Sequence, residues 1–237
     1  MERSTFMKGT PVTTIGMVVF PGFELLDLAG PLDVFARASD TTALTVAKTS
    51  DLVQPDLAPA VRPDATFASA PRFDVLFVPG GHGLSGALAC DDTLDFLARQ
   101  GGQAQYVTSV CTGALLLGAA GLLRGFQATT HWRYLDLLEL FGAHPVSKRV
   151  VEDRNRITGA GVTAGIDFGF SLVARLRGEE EARRIQLGLE YDPAPPFQAG
   201  HPSVADPKEV EAYVRDTTAR HADRERVVRE TAARRTR

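Results

Sequence analysis

Cys111 stands where a β-branched stretch, Tyr106-Val107-Thr108-Ser109-Val110, meets an Ala/Leu run that opens Thr112-Gly113-Ala114-Leu115. A strand that turns straight into a helix lifts the intervening side chain off the sheet edge and holds its backbone strained, as the nucleophile elbow does for a hydrolase serine. The unpaired N–H groups of a helix opening at Thr112 would face the sulfur, which predicts a thiolate more acidic than the ordinary value of about 8.5. The chemistry implied is nucleophilic attack by sulfur. The competing interpretation is a small buried hydrophobe beneath a helix, and the neighbouring residues decide between them.

Four further places could complete a site, because ligands of open α/β sheets sit beyond the carboxyl ends of the strands. Asp27 follows the first apolar stretch and is flanked by Leu25, Leu26 and Leu28. That apolar setting raises a carboxyl pKa and lets it hold a proton to share with a thiolate or a water; the plainer role is a first-turn carboxylate of the next helix. Gly80-Gly81 follows Val75 to Pro79, where bare backbone N–H groups can approach a ligand and stabilise negative charge, or simply turn the chain. Thr112 places an N–H and a hydroxyl beside the sulfur, or caps its helix. His131, in Ala128-Thr129-Thr130-His131-Trp132, is a base, a substrate contact, or a packed hydrogen-bonded ring.

The elements that must position these residues alternate, short apolar strands with amphipathic helical segments, which is the pattern of a parallel sheet covered by helices. Strands are expected over Thr14 to Phe20, Ala43 to Thr49, Asp74 to Pro79, Tyr106 to Val110 and Gln127 to Thr130. A hairpin is expected from Arg149 to Thr158 around Asp153-Arg154-Asn155. Helices are expected over Leu25 to Ala38, from Asp91 or Asp92 to Gln100, over Thr112 to Ala120 and Tyr134 to Phe141, from Thr163 to about Arg177, and over Glu179 to Glu190. The run Asp192-Pro193-Ala194-Pro195-Pro196 then stops the last of these. The fold class is α/β, a doubly wound, mostly parallel sheet with helices on both faces and a cysteine elbow. One α/β domain over 14–202 is preceded by a flexible segment, 1–13. It is followed by a charged tail, 203–237, expected to be a solvated helix with a fraying end.

Composition narrows the partners. The 237 residues are 44% hydrophobic with a net charge of −3, enough for a substantial core and without the basic field that nucleic acid or an anionic membrane would select. Acidic residues interleave with the arginines of the tail and dilute any phosphate-binding field. Cys90 and Cys111 are the two cysteines, with no CxxC and no cluster at metal-ligand spacing, so neither a disulfide framework nor a metal site is expected. No apolar run has the length of a membrane span, and Met1 to Thr13 lacks the apolar core of a leader; a cytoplasmic protein is expected.

The ordered motifs Asp27-Leu28-Ala29-Gly30-Pro31, Val78-Pro79-Gly80-Gly81, Ser109-Val110-Cys111-Thr112-Gly113-Ala114, Ala128 to Trp132 and Gly159 to Asp167 resemble the ThiJ/PfpI superfamily, a class I glutamine amidotransferase-like group. The resemblance spans about Thr14 to Pro202 and implies a flavodoxin-like fold. Within it, the Cys-Thr-Gly elbow and Gly188 to Pro193 are most similar to isonitrile hydratases and to the sensor domains of AraC-type regulators. It implies an enzyme that adds water to an isonitrile through a Cys111 thioimidate and releases an N-substituted formamide. Asp27 would handle protons, Thr112 would orient substrate or water, Gly80 and Gly81 would supply N–H donors, and His131 would contact substrate. No metal or organic cofactor is required. A homodimer is also implied, for which Leu32, Val34 and Phe35 on the first helix are candidate contacts. A ligand- or redox-responsive module in which Cys111 oxidises is the alternative; the absence of room for a helix-turn-helix after 202 favours the enzyme. Glyoxalase or deglycase activity ranks lower, since those branches carry His after the cysteine or Glu at the acidic position, where Thr112 and Asp27 stand here.

Overall fold

A computed structural model describes residues 12–235. In chain order the elements are β1 (Thr13–Val18), α1 (Leu25–Phe35), β2 (Thr41–Ala47), β3 (Ala65–Thr66), β4 (Val75–Val78), α2 (Leu84–Ala89), α3 (Asp91–Gly101), β5 (Tyr106–Val110) and α4 (Gly113–Ala119). They continue with β6 (Gln127–Ala128), a 3₁₀ helix (Trp132–Phe141), β7 (His144–Pro145), β8 (Val150–Asp153), β9 (Arg156–Gly159), α5 (Ala164–Arg177), α6 (Glu179–Gly188), α7 (Pro207–Asp216) and α8 (Thr218–Arg235).

Seven strands form one sheet in the order β3-β2-β1-β4-β5-β9-β8. All neighbours pair in parallel except β8 with β9. Without the two-residue edge piece β3, the parallel order is that of a flavodoxin-like sheet, whose ligand crevice opens where successive crossovers leave in opposite directions. Here that point lies between β1 and β4. Register fixes the depth of the crevice: Ile15 lies opposite Ala43 on one side and Val75 on the other, Val78 opposite Ser109, and Val110 opposite Gly159. The strand ends therefore finish level, and the loops after β1, β4 and β5 meet.

Continuous β-branched and aromatic runs make these central strands because both faces are covered, leaving no solvated face for polar alternation. All four residues of β4 are buried. On one face α1 packs with α5, and α5 with α6; Phe168 of α5 meets Phe35 edge-on at 6.1 Å and stacks on Phe77 at 5.5 Å. The other helices, α2, α3, α4 and α8 with the 3₁₀ helix, form a second packed group.

Several expectations change. Gln127–Ala128 forms only a two-residue strand, paired with β7 outside the main sheet. The apolar spacing of Tyr134, Leu137, Leu138 and Phe141 produces a kinked 3₁₀ helix, with Tyr134 at φ −130°. The tail divides: α7 has no buried residue, as expected of a solvated helix, but α8 docks on α2, α4 and the 3₁₀ helix and buries Arg224, Val228, Thr231 and Ala232. The expected flexible segment 1–13 lies outside the described residues up to 11, while Thr13 already belongs to β1. The last two residues of the expected fraying end also lie outside them. Val34 and Phe35 are fully buried within the core, so of the three side chains suggested for a two-fold contact only Leu32 retains exposure.

Candidate active site

Cys111 adopts φ 55°, in the left-handed region that disfavours side chains. The strain is held by the end of β5. The Cys111 N–H donates to the Gly159 and Ala160 carbonyls at 3.1 and 2.7 Å, and its own carbonyl accepts from the buried Thr130 hydroxyl at 2.7 Å. The side chain is 6% exposed. Asp27 comes from the first turn of α1 and is wholly buried. Its Oδ2 accepts from the Gly80 N–H at 2.7 Å, while Oδ1 has no conventional hydrogen-bond partner among the described residues. Pro31, four residues on, lacks the amide that would bond the Asp27 carbonyl in a regular helix.

The structure brings Asp27, Gly80, Gly81, Cys111 and Thr112 together. The two glycines do something other than what was expected of them. Gly80 is held from both sides, its N–H on Asp27 and its carbonyl accepting from the Glu24 N–H at 2.9 Å. The Gly81 N–H donates to the Thr112 hydroxyl at 3.3 Å. Their amides therefore clamp the acid loop to the elbow loop and are not free donors facing a ligand. Gly80 must be glycine for space: a Cβ would sit 2.5 Å from Thr112 N and 2.9 Å from Cys111 Cβ. Gly81, at φ 141°, occupies backbone space that side chains rarely enter. Thr112 makes no side-chain cap to α4; its N–H and hydroxyl act on the Cys111 sulfur.

Burial raises the Asp27 pKa well above the usual carboxylate range against the lowering effect of the Gly80 N–H, with the charge of Glu24 adding to the rise and contact with Cys111 opposing it. The expected acidic thiol is not found. Burial pushes Cys111 well above its ordinary value and the charge of Asp27 pushes it further, while the Thr112 hydrogen bonds and the charge of Arg224 pull it down. A helix N-terminus at a sheet edge is outweighed by loss of water and by a neighbouring carboxylate. Burial thus favours a proton on each of the two acids, Asp27 included. With that proton on Asp27, the repulsion that raises Cys111 disappears, and the carboxyl becomes a donor toward sulfur.

His131 stands apart from this cluster. Its Nδ1 accepts from the Arg133 N–H at 3.3 Å and caps the 3₁₀ helix. Burial lowers its pKa to about 4, aided by the charges of Arg224 and Arg133, so the ring is neutral. It borders a cavity of about 470 Å³ that is also lined by Thr130, Trp132, Ala160, Gly161 and Arg149. Thr130 and Ala160 are the residues that bond the Cys111 backbone, so this cavity adjoins the elbow. Cys90, for which the sequence offers no partner, lies 3.9 Å from Lys48 Nζ. Among the described residues no cluster of His, Cys, Asp and Glu could hold a metal ion, and no helix is long and apolar enough to cross a membrane.

Sequence reasoning misses Arg224. It is 4% exposed, donates to the Gly81 carbonyl at 2.9 Å, and lies over the Tyr134 ring at 4.6 Å. The available signal was its spacing to Val228, Thr231 and Ala232, which puts one apolar stripe on an otherwise charged helix.

The family model for the DJ-1/PfpI family matches residues 13–175, which include Asp27, both glycines, the elbow and His131. The chain belongs to the DJ-1/PfpI family. Among its relatives, an isonitrile hydratase of Pseudomonas putida is 50% identical over 191 residues, 81% of this chain and 84% of that protein. The HTH-type transcriptional regulator GbdR of Pseudomonas aeruginosa is 30% identical over 80% of this chain but only 55% of its own length. The crystal structure of a ThiJ/PfpI family protein from Pseudomonas syringae superimposes with a TM-score of 0.89 at 44% identity, covering 96% of both chains. All three likenesses extend beyond residue 175, and the Pseudomonas syringae superposition reaches the C-terminal helices.

Proposed function

We propose that this DJ-1/PfpI protein is an isonitrile hydratase with Cys111 as nucleophile. The observation that carries this proposal is the pairing of a strained, buried elbow cysteine with a carboxyl, Asp27, whose setting favours holding a proton. The 50% identity to an isonitrile hydratase supports the substrate class.

In the proposed cycle Cys111 sulfur bonds to the terminal carbon of R–N≡C, and the thiol proton, passed through Asp27, goes to that carbon. The product of this half is a thioimidate, Cys–S–CH=N–R. Asp27 then gives its proton to the thioimidate nitrogen and takes one from water as the hydroxyl adds to the same carbon. Collapse of the tetrahedral carbon breaks the C–S bond, returns the hydroxyl proton to sulfur and releases R–NH–CHO. The sum is R–NC plus water. Proton handling of this kind supplies about 10²- to 10⁴-fold of rate, and it needs Asp27 to give up and regain a proton within the cycle. The Thr112 N–H and hydroxyl stabilise the thiolate on departure, and the cavity beside His131 and Trp132 takes the R group.

The test is rapid quenching during turnover followed by mass spectrometry of the Cys111 peptide. A peptide heavier by one isonitrile is expected; turnover with that peptide unmodified contradicts covalent catalysis. The regulator relative supports a second interpretation, a sensing module, in which modification of Cys111 is stoichiometric and no product accumulates.

A further inference from the structure

A buried cation with no carboxylate paired to it among the described residues needs an explanation, because burying an unpaired charge is costly. The other arginines toward the end of α8 are ion-paired: Arg226 with Asp223 and Glu230, Arg229 with Glu225, Arg234 with Asp91, and Arg235 with Asp95. Arg224 is the exception. Its guanidinium donates to the carbonyls of Gly81 and His82, lies over Tyr134, and leaves Nε buried without a partner. Gly81 directly follows Gly80, whose amide holds Asp27, and its own N–H holds the Thr112 hydroxyl. The cation is thus fastened to the backbone that joins acid to nucleophile.

We infer that Arg224 is the counterion of the Cys111–Asp27 pair, a positioning residue through which the C-terminal helix α8 lets the pair carry a negative charge inside the core. The guanidinium supplies a fixed positive charge where solvent cannot, and the ring of Tyr134 and two carbonyls hold it there without neutralising it. Removing its charge therefore makes the thiolate harder to form while the elbow geometry stays. The other ionisable groups around the pair are Glu24 and Asp56, which oppose ionisation of Asp27, His131 with Arg133 behind it, His221 on the Arg133 carbonyl, and His82 between Asp56 and Arg220. None of these is a cation fixed to the glycine clamp.

The inference rests on Cys111 being the nucleophile of the proposed reaction, and its test uses no isonitrile. Iodoacetamide alkylation of the Cys111 peptide, resolved from that of Cys90 by mass spectrometry, is followed against pH in the wild type, Arg224→Gln and Arg224→Lys. Gln keeps a donor for the Gly81 carbonyl and loses the charge; Lys keeps the charge. The alkylation midpoint should rise by about one pH unit or more in Arg224→Gln, the scale on which a nearby charge moves an ionisation, and by less than half as much in Arg224→Lys. Should Arg224→Gln fail to fold, Arg224→Met fills the same volume and must give the same upward shift. A folded neutral variant with an unmoved midpoint overturns the inference, as does an equal shift in the Lys and Gln variants. Either result leaves the hydratase proposal standing, since turnover is measured separately.

Discussion

Replacing Gly80 with alanine tests how tightly the acid and nucleophile loops are clamped. The added methyl carbon would lie 2.5 Å from Thr112 N, 2.6 Å from Thr112 Oγ1 and 2.9 Å from Cys111 Cβ, whereas unbonded heavy atoms of this kind rest roughly 3.5 Å apart or more. Two of the three neighbours are backbone or Cβ atoms of the elbow, which cannot rotate away, so the elbow must retreat by about an ångström. Overpacking of this order costs about 1–3 kcal/mol, and at ~2–4 °C per kcal/mol for a chain of this size the Tm should fall by roughly 2–12 °C. A displacement of about 1 Å at a reacting group lowers the rate by ~10²-fold, so kcat/KM for isonitrile should fall at least that far. Gly86→Ala is the control: it sits in α2 with nothing within 4 Å of an added Cβ, and loss of glycine there should stabilise by up to about 1 kcal/mol without touching turnover. Thermal melts and initial rates on the two variants suffice. A Gly80→Ala protein with wild-type Tm and wild-type kcat/KM refutes the clamp; a lowered Tm with full turnover shows that the crowding falls somewhere other than on the nucleophile.

Asp27→Asn should lower kcat by about 10²- to 10⁴-fold, the range for a lost acid–base group, and yet melt higher than the wild type at neutral pH. A carboxyl raised by burial costs the fold nothing below its ordinary 3.8 and more as pH rises through the raised value, so the advantage of Asn should close as the pH falls toward about 4, and an advantage that grows on acidification would contradict it. His131 carries the opposite sign. Its pKa falls from 6.5 to about 4 on folding, so its contribution to stability is complete above pH 6.5 and is lost as pH falls through about 4. Urea midpoints measured across that window should drop less steeply in His131→Gln than in the wild type; parallel slopes would remove His131 from the acid response.

The pairing of Asp27 with Cys111 was legible because Cys111 directly follows β5 and Asp27 sits in the first turn of the helix after β1, and parallel topology brings such positions to one edge. The chemistry of Gly80 and Gly81 was not, since bare amides near a ligand and bare amides bracing two loops leave the same letters in the chain. The acidity of Cys111 could not be read either. The helix N-terminus is visible in sequence, but the burial and the facing carboxylate that outweigh it are tertiary facts. Trp132–Phe141 carries helical apolar spacing and still folds as a kinked 3₁₀ segment, where His131 caps the start. Strands of two residues, Ala65–Thr66 and His144–Pro145, have no period to detect. Arg224 was hidden by its company: an arginine among alternating Arg and Glu reads as surface until the helix is seen to dock.

The central claim, cysteine-dependent hydration, is tested most directly by steady-state conversion of cyclohexyl isonitrile to N-cyclohexylformamide with wild-type protein and Cys111→Ala. Many molecules of formamide per chain from the wild type, and none from a Cys111→Ala protein that melts normally, is the predicted result. Undiminished turnover in the Ala variant, or product limited to one equivalent per chain in the wild type, would contradict it.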